Sequence, residues 1–298
     1  MKADIPLALG TAQIGMDYGI ANRAGRPAPA QAVEIIETAW KEGVRFFDTA
    51  QAYGDSERIL GHCFKEIRKS EPDFSACVMT KLRPDLDPTE IETVCGEIKA
   101  SLECLGMDRL WGFMLHRESW LDKGAGSLSR AIGELRHRNK FKHFGVSVYS
   151  PEYARKALEI DGIDFVQLPY NVFDQRASKQ GVFTLAERQK KRVFVRSVYL
   201  QGLLLMNPDE LPGIMAFAKD RVKAFSDYAF SCGLSAKLLS LAFAIQTAPH
   251  AMIVIGSETS DQIRENLALF HQAKDISIPD LKSFASNEPR MINPSLWK

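Results

Sequence analysis

Short apolar runs alternate with amphipathic segments along the whole chain, and this alternation constrains the fold more than any other feature of the sequence. Most of the runs are almost continuously apolar, as expected for parallel strands that are covered on both faces. Eight strands that alternate with helices predict an α/β fold, a single (β/α)8 TIM barrel. An open doubly wound sheet is the alternative, but it usually has fewer strands in one domain. The predicted strands are Leu7–Gly10, Val44–Thr49, Cys77–Lys81, Leu110–His116, His143–Val148, Phe165–Leu168, Val193–Val198 and Met252–Gly256.

The segments between these runs carry apolar residues at helical spacing. Val33, Ile36 and Trp40 share one face of such a segment, which is typical of a helix that packs on a core. Ser150 is expected to cap a helix that begins at Pro151, since serine and proline are favoured at these two positions. The predicted helices are Ala30–Lys41, Pro88–Leu105, Pro151–Leu158 and Ser260–Phe270.

Two segments depart from the alternation. Tyr199–Ser235 is long for one strand-to-helix connection, and long connections are often functional, which favours a binding site beneath it. The tail, Asn287–Lys298, contains two prolines and is predicted to be irregular. The sequence leaves open whether this tail wraps over the barrel mouth or frays.

Composition narrows the class of protein. The 298 residues are expected to form one domain, 1–298, and the net charge of +1 favours neither nucleic acid nor an anionic membrane as a partner. No apolar run approaches the length of a membrane span, and Met1–Asp4 has no apolar core of a signal peptide. Five scattered cysteines fit reduced thiols and therefore a cytoplasmic protein. The six histidines lack metal-ligand spacing, so no metal site is predicted.

Polar residues follow three neighbouring predicted strands. Asp48, Lys81 and His116 stand at strand ends, and Tyr53 follows five residues after Asp48. Barrel active sites form at the carboxyl ends of the strands, so these four side chains are expected to meet in one pocket. Each of them taken alone is more often a cap, a solvated charge or a core residue. Their joint placement predicts a catalytic site that donates a proton.

The chemistry that fits this set is reduction of a carbonyl group. Hydride reaches the carbonyl carbon, and a proton must then reach the oxygen. Tyrosine has a pKa of about 10, so Lys81 is expected to lower the pKa of Tyr53 by stabilising the phenolate. Asp48 would keep the buried Lys81 charged, and His116 would orient the substrate oxygen. Such acid catalysis typically contributes about 10² to 10⁴ in rate.

The motif F-F-D-T-A-Q-A-Y-G-D-S-E-R-I-L-G at Phe46–Gly61 resembles the signature of the aldo-keto reductases. The resemblance covers nearly the whole chain, and the ordered set of motifs is highly specific. No Rossmann fingerprint occurs, as in that family. The further motifs are L-G-T-A-Q-I-G (Leu9–Gly15), T-K-L (Thr80–Leu82), L-H-R (Leu115–Arg117), G-V-S-V (Gly145–Val148), V-Q-L-P-Y-N (Val166–Asn171) and V-I-G-S…Q-I-R-E-N-L (Val254–Leu267).

This resemblance implies a (β/α)8 barrel that binds a nicotinamide cofactor, NADPH by family habit, with NADH as the alternative. It implies that Asp48, Tyr53, Lys81 and His116 form the catalytic tetrad. The implied cofactor contacts are Ser147 and Gln167 on the carboxamide, Gly10, Thr11 and Ala12 beside the nicotinamide ribose, Gly202 and Leu203 along the pyrophosphate, and Gly256, Ser257, Gln262, Glu265 and Asn266 at the adenosine end.

Two positions depart from the family pattern. Arg196 stands where many members stack an aromatic ring on the nicotinamide; a guanidinium plane can also stack, but it adds charge. Tyr199 is nearby, although a register shift would be needed for it to take that place. Gln262 stands where many NADPH-preferring members carry arginine, which weakens the expected recognition of a 2′-phosphate.

The main hypothesis is therefore an NAD(P)H-dependent reductase of aldehydes or ketones, with sugar-derived carbonyls among the candidates. Two alternatives stay open: a barrel enzyme in which Lys81 forms a Schiff base, and a cofactor-bound regulatory subunit with little turnover. The sequence does not identify the substrate, and it suggests a monomer or a weak homo-oligomer through the resemblance alone. Residues proposed to shape the substrate pocket are Met16, Tyr18, Trp120, Tyr149 and the segment Tyr199–Ser235.

Overall fold

Eight parallel strands close into a barrel in the order of the sequence, each hydrogen-bonded to the next and the last to the first. The computed structural model describes residues 5–138 and 140–297. Met1–Asp4, where the sequence predicts no signal peptide, lie outside the described residues, as does Lys298 at the end of the tail. The predicted (β/α)8 fold is confirmed. The strands are β1 Leu7–Gly10, β2 Phe46–Asp48, β3 Cys77–Lys81, β4 Leu110–Leu115, β5 Phe141–Ser147, β6 Phe165–Pro169, β7 Arg192–Arg196 and β8 Met252–Gly256.

Helices follow the strands and cover the outside of the barrel. Ser150 caps its helix as predicted, because its side chain accepts a hydrogen bond from Tyr153 N. The α-helices are α1 Ala12–Gly15, α2 Pro29–Lys41, α3 Ser56–Ser70, α4 Ile91–Leu105, α5 Ala125–Arg138, α6 Pro151–Leu158, α7 Arg176–Lys179, α8 Val182–Arg188, α9 Lys219–Ser231, α10 Ala236–Thr247, α11 Ser260–Asp275 and α12 Pro289–Ile292. Short 3-10 helices span Glu118–Lys123, Leu200–Leu205, Pro208–Glu210, Gly213–Ala218, Lys282–Phe284 and Pro294–Leu296.

The strand register brings the polar strand ends to one level. Gly10 pairs with Asp48 on one side and with Gly256 on the other, while Ser147 pairs with Gln167. Lys81, the last residue of β3, pairs with Met114 of β4. The carboxyl ends of the strands therefore collect the polar residues that the sequence places there.

Large side chains fill the interior of the barrel, which is a packed core rather than a pore. Met79, Met114, Phe165 and Phe194 are fully buried there and form a cluster distinct from the layer between strands and helices. A Cβ atom at Gly145 would lie 2.4 Å from the Phe165 ring, so only glycine fits beside this ring. The interior thus seals the barrel below the polar end.

Strand β7 ends two residues earlier than predicted. Ser197 has a φ of 58°, and this left-handed conformation turns the chain out of the strand directly after Arg196. The segment that follows, predicted as one long connection, contains three 3-10 helices and α9. Its residues Tyr199, Gln201 and Gly202 line the cavity described below.

The tail packs against the protein rather than fraying. Met291 and Trp297 are buried, and Trp297 Nε1 donates a hydrogen bond to Arg290 O (2.6 Å). Among the described residues, no single helix is long and apolar enough to cross a membrane. Gly213–Ser231 and Ala236–Thr247 pass that test only together, and they are bent by 89° relative to each other.

Candidate active site

Asp48 and Lys81 form a buried ion pair at the carboxyl end of the barrel. Lys81 Nζ donates to Asp48 Oδ1 and to Thr49 O, each at 2.8 Å. Gln167 Nε2 donates to the same carboxylate oxygen, also at 2.8 Å. Both charged side chains are almost completely removed from water. Burial lowers the pKa of Lys81, and the neighbouring Asp48 opposes this shift.

Tyr53 and His116 complete the predicted set of four. Lys81 Nζ lies 4.7 Å from the centre of the Tyr53 ring, and the Tyr53 and His116 rings stand edge to face with centroids 5.7 Å apart. His116 Nδ1 is buried and has no hydrogen-bond partner within the described part of the chain. The structure therefore brings all four predicted residues together.

Protonation of these residues differs in one respect from the sequence expectation. The pKa of Tyr53 is raised, not lowered, because burial and the charge of Asp48 outweigh the opposing charge of Arg196. Burial, with the positive charges of Lys81, Arg196 and Arg117, lowers the pKa of His116 to about 3. Near pH 7 both Tyr53 and His116 are therefore neutral, and Tyr53 keeps its proton.

Buried hydroxyl groups behind Asp48 fix the end of β2. Thr11 Oγ1 donates to Asp48 O (2.9 Å), and Ser56 Oγ donates to Thr11 O (3.0 Å). Thr49 Oγ1 donates to Ser56 Oγ (2.9 Å). A Cβ atom at Gly15 would lie 2.0 Å from Tyr53 O, so this glycine allows the close approach of the Tyr53 loop. Thr49 and Ser56 belong to the motif recognised in the sequence but were not assigned a role there.

One cavity, of about 240 Å³, runs from Asp48 and Tyr53 across the barrel mouth to helix α11. Most of the predicted cofactor residues line it. The lining includes the predicted Gly10, Thr11, Ala12, Arg196, Gly202, Gly256, Gln262 and Asn266, and it adds Gln13, Tyr18, Asn22, Tyr199, Gln201, Lys237 and Glu258 among others.

The remaining predicted cofactor residues lie behind this lining. Ser147 is buried at the end of β5, and Gln167 reaches Asp48 as described. Leu203 is fully buried among apolar residues. Ser257 Oγ accepts a hydrogen bond from Asn266 Nδ2 (3.1 Å), and Glu265 Oε2 accepts one from Lys237 Nζ (2.6 Å).

Several polar atoms around the cavity are ready for a ligand. Gln167 Oε1, Asn266 Oδ1 and the Tyr199 hydroxyl are buried and have no partner within residues 5–138 and 140–297. Buried polar groups in proteins are almost always paired, so such atoms mark places where a bound molecule makes the missing hydrogen bonds. Gln167 lies at the Asp48 end of the cavity and Asn266 at the opposite end, so the set suits an elongated molecule with amide and hydroxyl groups at both ends.

Arg196, the last residue of β7, lines the cavity, and its guanidinium carbon is 4.4 Å from the centre of the Tyr149 ring. Arg196 Nη2 donates to Val148 O at 3.3 Å. One face of the guanidinium is therefore covered by the protein's own tyrosine. Sequence reasoning missed Lys237, Glu258 and Gln13 at this cavity. Lys237 resembles an ordinary surface residue, whereas Gln13 lies within the recognised motif Leu9–Gly15 but was not assigned a role.

A sequence model of the Aldo/keto reductase family matches residues 6–285. The NADH-specific methylglyoxal reductase of Escherichia coli (strain K12) is 24% identical over 270 residues, which are 79% of this chain and 81% of that protein. The D-threo-aldose 1-dehydrogenase of a Pseudomonas species is 24% identical over 297 residues, 87% of this chain and 90% of that protein.

Solved structures share the fold. An aldo-keto reductase from Bacillus halodurans in its holo form superposes with a TM-score of 0.72 at 18% identity, covering 94% of this chain and 92% of that one. The glycerol dehydrogenase of Gluconobacter oxydans superposes with a TM-score of 0.66 at 21% identity, covering 92% and 94% of the two chains.

Proposed function

Because the chain belongs to the aldo/keto reductase family of NAD(P)H-dependent oxidoreductases, we propose that it reduces an aldehyde or ketone to an alcohol, with Tyr53 as the proton donor. The observation that carries the proposal is the convergence of four side chains at one end of a single cavity. Lys81 lies 2.8 Å from Asp48 and 4.7 Å from the Tyr53 ring, and His116 stands beside that ring.

The hydride for the carbonyl carbon would come from a nicotinamide bound in this cavity. Tyr53 is protonated near pH 7 because its pKa is raised, so it is an intact donor when negative charge develops on the substrate oxygen. Lys81 then stabilises the phenolate that remains, and Asp48 holds Lys81 in its charged form. His116 is neutral, so one ring nitrogen carries a proton and can hydrogen-bond the same oxygen. Tyr53 recovers its proton from solvent after the alcohol has formed.

The contacts of Lys81 argue against the Schiff-base alternative. A lysine that attacks a carbonyl must be unprotonated and free to move. Lys81 Nζ instead donates to Asp48 Oδ1 and to Thr49 O, which favours the charged form and holds the amine in place. The regulatory alternative is disfavoured because a module that only binds a cofactor has no use for a buried ion pair beside a phenol.

The residues around the cavity suit a nicotinamide dinucleotide. Gln167 Oε1 is an unused acceptor for a carboxamide N–H, since Gln167 Nε2 is engaged by Asp48. Asn266 Oδ1 is an unused acceptor at the adenosine end, where an exocyclic amine is a matching donor. We propose that Arg196 lies beside the nicotinamide, as the resemblance implies, and that the backbone at Gly202 and Leu203 follows the pyrophosphate.

We infer further that NADH binds at least as tightly as NADPH, although family habit favours NADPH. Gln262 Oε1 accepts from Glu258 N (2.7 Å), so Gln262 closes the turn instead of offering a cation to a 2′-phosphate. The ammonium of Lys237 is paired with Glu265. Glu258 lines the cavity as a further carboxylate, which favours a ribose hydroxyl and disfavours a phosphate. The similarity to an NADH-specific reductase supports the same inference.

Fluorescence titration with NADH and NADPH tests the cofactor inference. We expect a dissociation constant for NADH equal to or below that for NADPH, and Glu258→Gln should improve NADPH binding relative to NADH. Clearly tighter binding of NADPH by the wild type would overturn it. Binding of neither nucleotide would contradict the reductase function itself.

Tyr53→Phe tests the proton donor. We expect turnover to fall by about 10² to 10⁴ while nucleotide affinity and the thermal unfolding midpoint stay close to wild type, because only the hydroxyl is removed. Tyr153→Phe is the matched control, since the Tyr153 hydroxyl donates to Asp122 on the outside of the barrel (2.6 Å). Near-normal turnover in Tyr53→Phe would show that another group donates the proton.

A further inference from the structure

Arg196 places a positive charge at the end of the cavity where Asp48 and Tyr53 lie, which we call the catalytic end. No carboxylate among the described residues balances this charge. The Arg196 guanidinium donates hydrogen bonds to a backbone carbonyl, Val148 O at 3.3 Å, and to a hydroxyl, Ser197 Oγ at 3.4 Å. Throughout residues 5–138 and 140–297 no aspartate or glutamate forms an ion pair with Arg196, whereas other arginines, such as Arg23, Arg136 and Arg176, do have such a partner. A cation at a cavity wall without a counter-charge is costly unless a ligand supplies one.

The other groups at this end do not compensate the charge of Arg196. Asp48 and Lys81 neutralise each other at 2.8 Å. His116 is neutral near pH 7, with its pKa lowered to about 3, and Tyr53 is protonated. The catalytic end of the cavity therefore carries one net positive charge before any ligand enters.

This charge lies close to the reacting groups. The charge of Arg196 opposes the rise in the pKa of Tyr53 and of Tyr18, and it contributes to the lowered pKa of His116. Tyr18, Tyr53 and Arg196 line the same cavity, and the Tyr149 ring supports the guanidinium from one side. A substrate whose carbonyl oxygen is near Tyr53 thus places its substituents within reach of Arg196.

We propose that Arg196 binds an anionic group of the substrate, so that the preferred substrates are carbonyl compounds that carry a carboxylate or a phosphate. The two weak contacts of the guanidinium use two of its five N–H donors and leave the others for an oxyanion. Arginine suits this role because its planar fork matches carboxylate and phosphate oxygens. The Tyr18 hydroxyl, which accepts from Gln201 Nε2 (3.4 Å), keeps its own proton for the same oxyanion.

This inference rests on the proposed function, because it concerns the substrate of the same site. It differs from the role implied by the family resemblance, in which the residue at this position touches only the cofactor. An oxyanion contact predicts selectivity for charge among substrates of one size, whereas a cofactor contact predicts none.

Matched pairs of substrates test the inference. The full chain is assayed with its better nucleotide on 4-carboxybenzaldehyde and its neutral primary amide, on succinic semialdehyde and its amide, and on glyceraldehyde 3-phosphate and glyceraldehyde. We expect kcat/KM to be about 10- to 100-fold higher for at least one anion than for its neutral counterpart, the range of a hydrogen bond to a charged group. The first two pairs report on carboxylates and the third on phosphates.

Arg196→Gln should reduce the ratio of kcat/KM between an anion and its neutral counterpart to about 1, mainly through a higher KM for the anion. Arg196→Lys should restore part of this ratio. Arg192→Gln is the control, because Arg192 is exposed at the amino end of the barrel, 5.4 Å from the Trp111 ring, and does not line the cavity. Its ratio should match that of the wild type. Nucleotide titration of Arg196→Gln separates this role from cofactor binding.

Three outcomes would overturn the inference: a ratio near 1 for every pair in the wild type, an unchanged ratio in Arg196→Gln, or loss of nucleotide affinity as the only effect of that substitution. The first leaves the reductase function intact, since the neutral substrates still turn over. If no carbonyl is reduced, the proposed function fails, and calorimetry of the same pairs decides the inference: the anion must still bind more tightly than its amide to the wild type but not to Arg196→Gln.

Discussion

The two ends of the barrel interior are built from the same eight strands but differ in chemistry. The carboxyl end, around Asp48, Lys81 and Gln167, buries an ion pair and an amide. The amino end, around Trp111 and His143, is packed with rings, and these two side chains lie 4.5 Å apart between centroids. Trp111 also contacts Phe46, Phe165 and Phe194 at centroid distances of 5.0, 5.5 and 5.6 Å.

The ends also differ in how many polar atoms lack a partner. Six buried side-chain atoms have no hydrogen bond in the described residues. Four lie at the cavity wall or directly behind it, one, His143 Nε2, lies at the amino end, and one, Ser240 Oγ, lies on helix α10. Unpaired buried groups reduce stability. The carboxyl end is therefore less stable than a fully paired core would be, and its free polar atoms are available to a ligand, whereas the amino end is mainly packed core. The four atoms are His116 Nδ1, Gln167 Oε1, the Tyr199 hydroxyl and Asn266 Oδ1.

The largest difference between the ends should appear when each loses a cation. Lys81→Met leaves Asp48 buried without a counter-charge, and breaking a buried pair in this way typically costs about 3–5 kcal/mol. Turnover should be lost as well. Arg192→Met removes the guanidinium that lies 5.4 Å from the Trp111 ring at the exposed amino end, which is worth only about 0.5–1 kcal/mol. Urea unfolding of both variants measures the contrast.

A double variant separates the pair from the loss of packing. Lys81→Met with Asp48→Asn has no unpaired charge, so it should regain much of the stability that Lys81→Met loses while remaining inactive. Equal stability losses in Lys81→Met and Arg192→Met would contradict the view that only the carboxyl end depends on a buried charge.

The two histidines should produce a smaller difference between the ends, in how the free energy of unfolding depends on pH. An unfolded histidine binds a proton near pH 6.5, whereas His116 in the folded protein does so near 3. Unfolding therefore takes up a proton between these values, and stability is full above pH 6.5 and falls as the pH drops. From pH 6.5 to 5 the contribution of His116 is about 2 kcal/mol, at 1.36 kcal/mol per pH unit.

Urea unfolding of His116→Asn at pH 5 and pH 7 measures this contribution as the difference from wild type. His143→Asn is the comparison at the amino end. Burial lowers the pKa of His143 too, but the carboxylate of Asp164 opposes this shift. The pH dependence of stability that this variant removes should therefore be smaller. If His143→Asn flattened the profile more than His116→Asn, the amino end would be the more desolvated of the two.

The sequence predicted the fold because its pattern is local. Each strand is a short run of apolar residues, and eight such runs alternating with helices leave few other topologies. The errors lie at the ends of strands and helices. Among the strands, β7 stops at Arg196 because Ser197 takes a positive φ, and β5 begins at Phe141, before the predicted His143. Neither boundary can be read from hydrophobic pattern, since both depend on backbone geometry and on pairing with neighbouring strands.

The candidate site was predictable only in part. Asp48, Tyr53, Lys81 and His116 were found because each stands at the end of a strand or shortly after it, and the motif at Phe46–Gly61 supported the first two. The raised pKa of Tyr53 was not foreseen, because burial outweighs neighbouring charge and burial is a property of the folded chain. Lys237 and Glu258 were missed for a related reason: only the closed barrel brings α10 and the end of β8 to one cavity.

The smallest expected effect concerns two tyrosines, one at the cavity and one in the layer between barrel and helices. The Tyr170 hydroxyl lies 2.8 Å from Thr247 Oγ1, whereas the buried hydroxyl of Tyr199 has no partner among the described residues. Tyr170→Phe should cost about 1 kcal/mol, the usual net value of a hydrogen bond. Tyr199→Phe should instead leave stability unchanged or raise it by up to about 1 kcal/mol, because an unpaired polar group is removed from the interior.

Nucleotide binding should rank the two variants in the opposite order. Tyr199→Phe is expected to weaken binding because a donor at the cavity wall is lost, while Tyr170→Phe should bind normally. Urea unfolding without nucleotide, followed by fluorescence titration, measures both quantities on the same preparations. If Tyr199→Phe loses as much stability as Tyr170→Phe, its hydroxyl is already satisfied in the free protein, and the cavity gives up less stability for binding than its unpaired atoms indicate.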